Sequence, residues 1–190
     1  MKCQKCGHGN RIIRCGEYGL FAGCDSFPKC KNTMKLSKFL YEVMKKDGIY
    51  IYGWNIKCWK CHQDTRVYTY FINKQIKPYM EKGIELDNIG LDSIPSIDTY
   101  LKSNYKTINK NYSKTQNRYC TSNNCVHCNA LIGNYFIVRD PHDIFNDWLG
   151  GDLNKYLIEK IPFAKINIKE RELNGFGSSV IQIVDDIFEN

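Results

Sequence analysis

No window of this 190-residue chain approaches the apolar length needed to cross a bilayer. Its most apolar stretch, near Leu131 to Val138, is broken by Gly133 and Asn134. The opening Met1-Lys-Cys-Gln-Lys-Cys6 has no apolar signal core, so a cytoplasmic protein with no membrane partner is expected. A phosphate loop is missing too: Gly150-Gly151 and Gly175-Phe-Gly177 lack its spacing and its lysine, and read as turns. Histidine is scarce, and His8, His62 and His127 adjoin or sit within cysteine motifs, leaving only His142 apart from them. The cluster Asp140-Pro-His142-Asp143 reads as a turn or helix cap. Paired catalytic carboxylates, and three metal ligands beside an open position, are both missing, so the chain is not expected to be an enzyme.

Cysteine, by contrast, is plentiful, with ten residues. In a reducing compartment, knuckle-spaced cysteines read as metal ligands and not as disulfides. Cys3-x-x-Cys6 and Cys24-x5-Cys30 flank a hairpin-length segment, Arg11 to Gly23, which is what a tetrahedral all-thiolate zinc site needs. Gly7 follows the first knuckle, where a small residue lets backbone amides point at sulfur. Cys58-x-x-Cys61 and Cys125-x-x-Cys128 form a second such set, with Cys120, His62 or His127 as competing ligands. Cys15 reads as a spare thiol. Two structural zinc ions are therefore expected, since a closed four-thiolate site has no place for a reacting water.

The net charge of +7 is uneven. Residues 1–38 carry eight basic side chains against Glu17 and Asp25, which accounts for +6 and leaves +1 for the rest. A basic module on a neutral body is the electrostatic footprint of a nucleic-acid binder.

The pattern of elements points to an α+β protein built on two zinc ribbons. Arg11 to Arg14 and Tyr18 to Ala22 read as the arms of the first hairpin. The spacing of Leu36, Phe39, Leu40, Val43 and Met44 predicts a helix, stopped by Asp47-Gly48, that links to the second unit and docks on it. Ile49 to Ile56, Arg66 to Ile72 and Tyr135 to Val138 read as strands, and Ile97 to Tyr105 as helical. Lys106 to Asn117 reads as a mobile polar loop. Ile144 to Ile161 is amphipathic, and Phe163 to Ile168 and Ser178 to Ile187 are β-like. The expected domains are a ribbon at 1–36, a linker helix at 37–48, a second ribbon domain at 49–140 with a long insert at 74–119, and a C-terminal α/β extension at 141–190 packed on that second domain.

Within the first ribbon the residues between the cysteines are as telling as the spacing. Cys3-Gln-Lys-Cys6-Gly7, Arg14, Gly16-Glu-Tyr18-Gly19-Leu-Phe21-Ala-Gly23-Cys24 and Phe27-Pro28-Lys-Cys30-Lys31 resemble the C-terminal zinc ribbons of type IA DNA topoisomerases. The resemblance covers about residues 1–35, and Gln4 stands where that family usually has proline. It implies Cys3, Cys6, Cys24 and Cys30 as zinc ligands and contact with single-stranded DNA through the hairpin. Tyr18 and Phe27 then offer stacking surfaces, Arg11, Arg14, Lys29 and Lys31 can follow phosphates, and Phe21 is expected in the ribbon's own core. The topoisomerase catalytic domains have no counterpart here, so that activity is not implied. The surroundings of Cys58, Cys61, Cys125 and Cys128 resemble a zinc-ribbon domain of uncharacterised bacterial and phage proteins. The expected function is DNA binding with a single-strand preference. The alternatives are a protein-interaction adaptor using the basic ribbon, and a non-catalytic subunit of a DNA-processing enzyme.

Overall fold

The computed structural model describes residues 1–86, 88–139, 144, 152–176 and 180–183. The chain divides into two compact units, Met1–Asp47 with Ile72–Asn88 and Ile168–Asn190, and Gly48–Phe71 with Ile89–Asn167. Both mix short helices with small antiparallel sheets, as an α+β protein with two ribbons requires.

In the first unit, strand β1 (Arg11–Gly16) pairs antiparallel with β2 (Gly19–Cys24) from Arg11↔Cys24 to Gly16↔Gly19. The two-residue turn, Glu17-Tyr18, is followed by Gly19 at φ +100°, which a Cβ would strain. Strand β3 (Met34–Lys35) lies on the far side of β2, with Lys35 opposite Phe21 and Met34 opposite Ala22. The alternation of strand side chains gives this sheet two unlike faces. On the inner face Ile13, Leu20 and Ala22 are buried. Helix α1 (Leu36–Asp47) buries Leu36, Phe39, Leu40, Val43 and Met44 along one stripe and packs on β2 and β3. Helix α2 (Ile72–Ile76) and a 3-10 turn (Lys77–Tyr79) follow, with Tyr79 edge-on to Phe39 at 5.4 Å. Strand β6 (Ile84–Leu86) pairs with the last described strand, Val180–Ile183.

In the second unit, β4 (Ile49–Lys57) pairs with β5 (Asp64–Tyr70) from Ile51↔Tyr70 to Lys57↔Asp64. Helix α3 (Pro95–Asn104) begins with proline in its first turn. Strands β7 (Ile108–Ser113) and β8 (Arg118–Asn124) form a hairpin, and β9 (Leu131–Ile132) adds to the end of β8. After the short helix α4 (Phe136–Arg139), strand β10 (Leu157–Ile161) joins the free edge of β4. With it the last strand, Val180–Ile183, becomes β11. The core gathers Tyr52, Trp54, Ile56, Val67, Phe71 and Ile132 around two of the second-set cysteines, Cys58 and Cys125. Asn123, fully buried, ties the two sheets together: its Oδ1 accepts from Tyr68 N and its Nδ2 donates to Tyr68 O, both at 2.9 Å.

The structure departs from the sequence expectations in several places. Half of Lys106 to Asn117, Ile108–Ser113, is strand, because Asn111 Nδ2 donates to Ser122 Oγ and Asn124 Oδ1 and so supports a hairpin whose residues have poor β propensity. Tyr135 to Val138 is not a strand; a turn closed by Phe136 N on Gly133 O leads into α4. Phe163 to Lys165 is a 3-10 turn, and of 178–187 only Val180–Ile183 is described as strand. The expected linker helix at 37–48 is α1, but it shares a unit with the first ribbon, as do the described residues from Ile168 onward. Of the amphipathic stretch at 144–161, residues 145–151 lie outside the described residues and the rest holds a 3-10 turn (Asn154–Tyr156) and β10; the Asp140 to Asp143 cluster and Gly150-Gly151 lie outside the described residues.

Candidate metal centres and nucleic-acid face

Three of the four cysteine pairs or knuckles share one local geometry. Cys3 N donates to Gly9 O, and Gly7 N donates back to Cys3 O. Likewise Cys58 N donates to Gln63 O and His62 N to Cys58 O, while Cys125 N donates to Ala130 O and Asn129 N to Cys125 O. In each, the residue four places after the first cysteine is left-handed: Gly7 (φ +74°), His62 (+58°) and Asn129 (+56°). His62 is thus a turn residue, and His127 places Nε2 3.0 Å from Asp64 O; neither is a ligand. Amides approach the sulfurs, with Gly9 N 3.4 Å from Cys6 Sγ, Lys60 N 3.4 Å from Cys58 Sγ and His127 N 3.4 Å from Cys125 Sγ.

Cys3, Cys6, Cys24 and Cys30 come together, as do Cys58, Cys61, Cys125 and Cys128, with all sulfurs of a group within 4.8 Å of one another. The sulfur separations include 3.8 Å for Cys3–Cys30, 3.7 Å for Cys6–Cys24, and 3.6 Å for both Cys58–Cys128 and Cys61–Cys125. A tetrahedron with zinc–sulfur bonds of about 2.3 Å has edges of about 3.8 Å. Both groups therefore fit one zinc ion each. Cys120 is not in the second group: it is buried in β8 opposite Asn111, and burial together with Asp92 pushes its thiol up. Cys15 is exposed and outside the first.

Charge supports the same fit. The Cys6 amide and the Asn32 side chain pull Cys3 down to about 5. The Asn32 amide favours the Cys30 thiolate, yet burial and the other three sulfurs push it up to about 11. Cys125, against burial, is lowered to about 6 by the Cys128 and His127 amides, while Cys61, despite the Gln63 amide, rises to about 12 through burial and neighbouring sulfur. Four thiolates this close ionise together only around a cation.

The outer face of the first sheet is open. Arg14, Phe21 and Lys35 form one straight row across β1, β2 and β3. A Cβ at Gly16 would stand 3.0 Å from the Phe21 ring and one at Gly23 3.3 Å, so these glycines let the ring lie down between them, half-exposed. Phe27 is 58% exposed, with the Arg14 guanidinium carbon 5.9 Å from its ring centroid. Together with Lys31 and Thr33 these residues line a groove of about 190 Å³. Tyr18, 96% exposed, stands at the hairpin tip beside a larger open groove that Phe21, Thr33 and Lys35 also border.

Residues 1–38 match the family model of the topoisomerase DNA-binding C4 zinc finger. No solved structure matches the chain. The match covers the four cysteines of the first centre, the hairpin and the start of α1, and it supports zinc binding by this topoisomerase-type ribbon. No helix among the described residues is long and apolar enough to cross a membrane.

The ribbon corrects two of the expected roles. Arg11 is only 3% exposed and its Nη1 donates to Asn32 O at 3.0 Å, so it closes the ribbon from within and is not placed to meet a phosphate. The reason is strand periodicity: Arg11 and Arg14 are three residues apart and point to opposite faces. Phe21, expected in the core, lies on the outer face for the same reason. Arg14 keeps a partner, with Nε 3.3 Å from Glu81 Oε1 in an ion pair that lacks hydrogen-bond alignment. Lys29 and Lys31 are exposed. Lys35 was missed as a site residue, although its place opposite Phe21 needed only the pairing of β3 to reveal it.

Proposed function

We propose that this is a zinc-dependent nucleic-acid-binding protein whose ribbon grips single-stranded DNA on its outer face. The observation that carries this reading is the row Arg14–Phe21–Lys35, with a half-exposed ring between two cations and exposed Phe27 and Tyr18 on either side. Bases stack on aromatic rings without regard to sequence, while lysines follow the phosphates. Burial of Ile13, Leu20 and Ala22 on the inner face, with α1 on β2 and β3 and the Lys77–Tyr79 turn on β1, holds that face, and the metal centre holds the strand ends, so the rings are fixed before any strand arrives. In this reading the chain binds and does not turn over substrate. A sequence-specific mode is not part of it, since among the described residues no recognition helix lies beside the ribbon's open face.

The test is fluorescence anisotropy of the zinc-loaded full chain with oligothymidylate and with duplex of equal length. Single strand is expected to bind more tightly, and Phe27→Ala or Tyr18→Ala to weaken it about 5- to 150-fold, the range of one stacked base. Absence of binding at low salt by fully metallated protein would sink the reading and favour an acidic protein partner for the same face.

A further inference from the structure

Outside residues 1–38 the chain nets only +1, and that figure hides a segregation. Residues 99–139 contain six basic side chains (Lys102, Lys106, Lys110, Lys114, Arg118 and Arg139) and no acidic one, whereas 140–190 hold ten acidic and five basic. The β7–β8 hairpin lies in the middle of this acid-free segment.

Its register sorts the side chains. Tyr112 stands opposite Tyr119, and Lys110, two residues earlier on the same face, stands opposite Thr121. The two rings meet edge to face at 5.4 Å and 70°, yet Tyr112 is 49% and Tyr119 64% exposed. The Tyr112 hydroxyl donates to Asn117 Oδ1 across a turn in which Asn117 is left-handed, so this ring is held in place while its face stays in solvent. Lys110 and Lys114 are exposed and, among the described residues, in no ion pair. Arg118 is the exception, its Nη1 2.7 Å from Asp92 Oδ2. Two oriented rings without a hydrophobic neighbour to bury them, beside unpaired lysines, match a partner that brings flat bases together with phosphate charge.

We propose that the β7–β8 hairpin is a second contact for single-stranded nucleic acid, separate from the ribbon face and independent of it. Bases stack on Tyr112 and Tyr119, and Lys110 and Lys114 take phosphates.

The full zinc-loaded chain, carrying Tyr18→Ala, Phe27→Ala, Lys29→Ala and Lys31→Ala to silence the ribbon, is mixed with a single-stranded oligonucleotide containing 4-thiothymidine. Near-ultraviolet irradiation is followed by peptide mapping. Adducts are expected within 108–124, on Tyr112 or Tyr119. In the same background, Tyr112→Ala/Tyr119→Ala is expected to weaken binding at least about fivefold. Lys110→Ala/Lys114→Ala should make the log–log salt slope shallower by about 1.4. Tyr112→Phe keeps the ring, removes only the bond to Asn117, and should bind within about twofold of its parent, which separates stacking from simple loss of fold. If Tyr18→Ala and Phe27→Ala leave the affinity of the full chain unchanged while adducts form within 108–124, the ribbon reading fails and this one stands. Adducts confined to residues 1–38, binding unchanged by the tyrosine pair, or equal displacement by polyglutamate with no effect of the rings would each overturn the hairpin proposal.

Discussion

Arg11 and the lysines of the ribbon offer a sharp test, because they look alike in sequence and stand apart in the structure. Lys29 and Lys31 are exposed, Lys31 at the groove, while Arg11 is buried and hydrogen-bonded to Asn32 O. Each phosphate neutralised on a single strand contributes about −0.7 to the slope of log affinity against log salt. Lys29→Ala/Lys31→Ala should therefore make the slope about 1.4 units shallower. Over a fourfold rise in salt the variant then loses about sevenfold less affinity than the parent. Arg11→Met should leave the slope alone and act on stability, since it deletes a hydrogen bond from a charged donor worth about 1.5–3 kcal/mol. Anisotropy titrations with oligothymidylate over a salt series, run beside thermal melts of the same samples, separate the two effects. An unchanged slope in the lysine variant, or a shallower one in Arg11→Met at unchanged melting temperature, would refute the assignment of faces.

Zinc analysis should find two ions per chain, falling to one in Cys30→Ala or in Cys128→Ala and staying at two in Cys15→Ser and Cys120→Ala; loss of an ion from the Cys120 variant would contradict the second centre. Cys30 and Cys61 sit near 11 and 12 without metal and are protonated at neutral pH, so loading must release protons and zinc affinity must fall as the pH falls, which a weakly buffered titration would record. Asn123→Ala should destabilise the second unit by about 2 kcal/mol or more, because it strips both the donor and the acceptor from Tyr68; a melt unchanged from the parent would show that the bridge does not hold the sheets.

Much of the metal chemistry was legible in the sequence, because knuckle spacing is a local constraint. Four residues after the first cysteine of each Cys-x-x-Cys the chain must turn left-handed, and glycine, asparagine and histidine stand there. The helical stripe Leu36 to Met44 was equally local and recurs as α1. The 106–117 hairpin was not legible, since its pairing rests on Asn111 meeting Ser122 and Asn124 across the sheet. Short-range propensity carries no trace of such partners.

For the site the division runs along the strand. The residue types of the hairpin, with alternating faces, were determined by sequence: Arg11 with Ile13 on one side, Arg14 with Phe21 on the other once the register is known. Which side faces solvent was decided only by tertiary structure, when α1 packed on β2 and β3, the Lys77–Tyr79 turn packed on β1, and Phe21 was left on the open side. Burial is a property of what packs on a face, and the element that packs here follows the ribbon in the chain without any pattern that names the face it will cover.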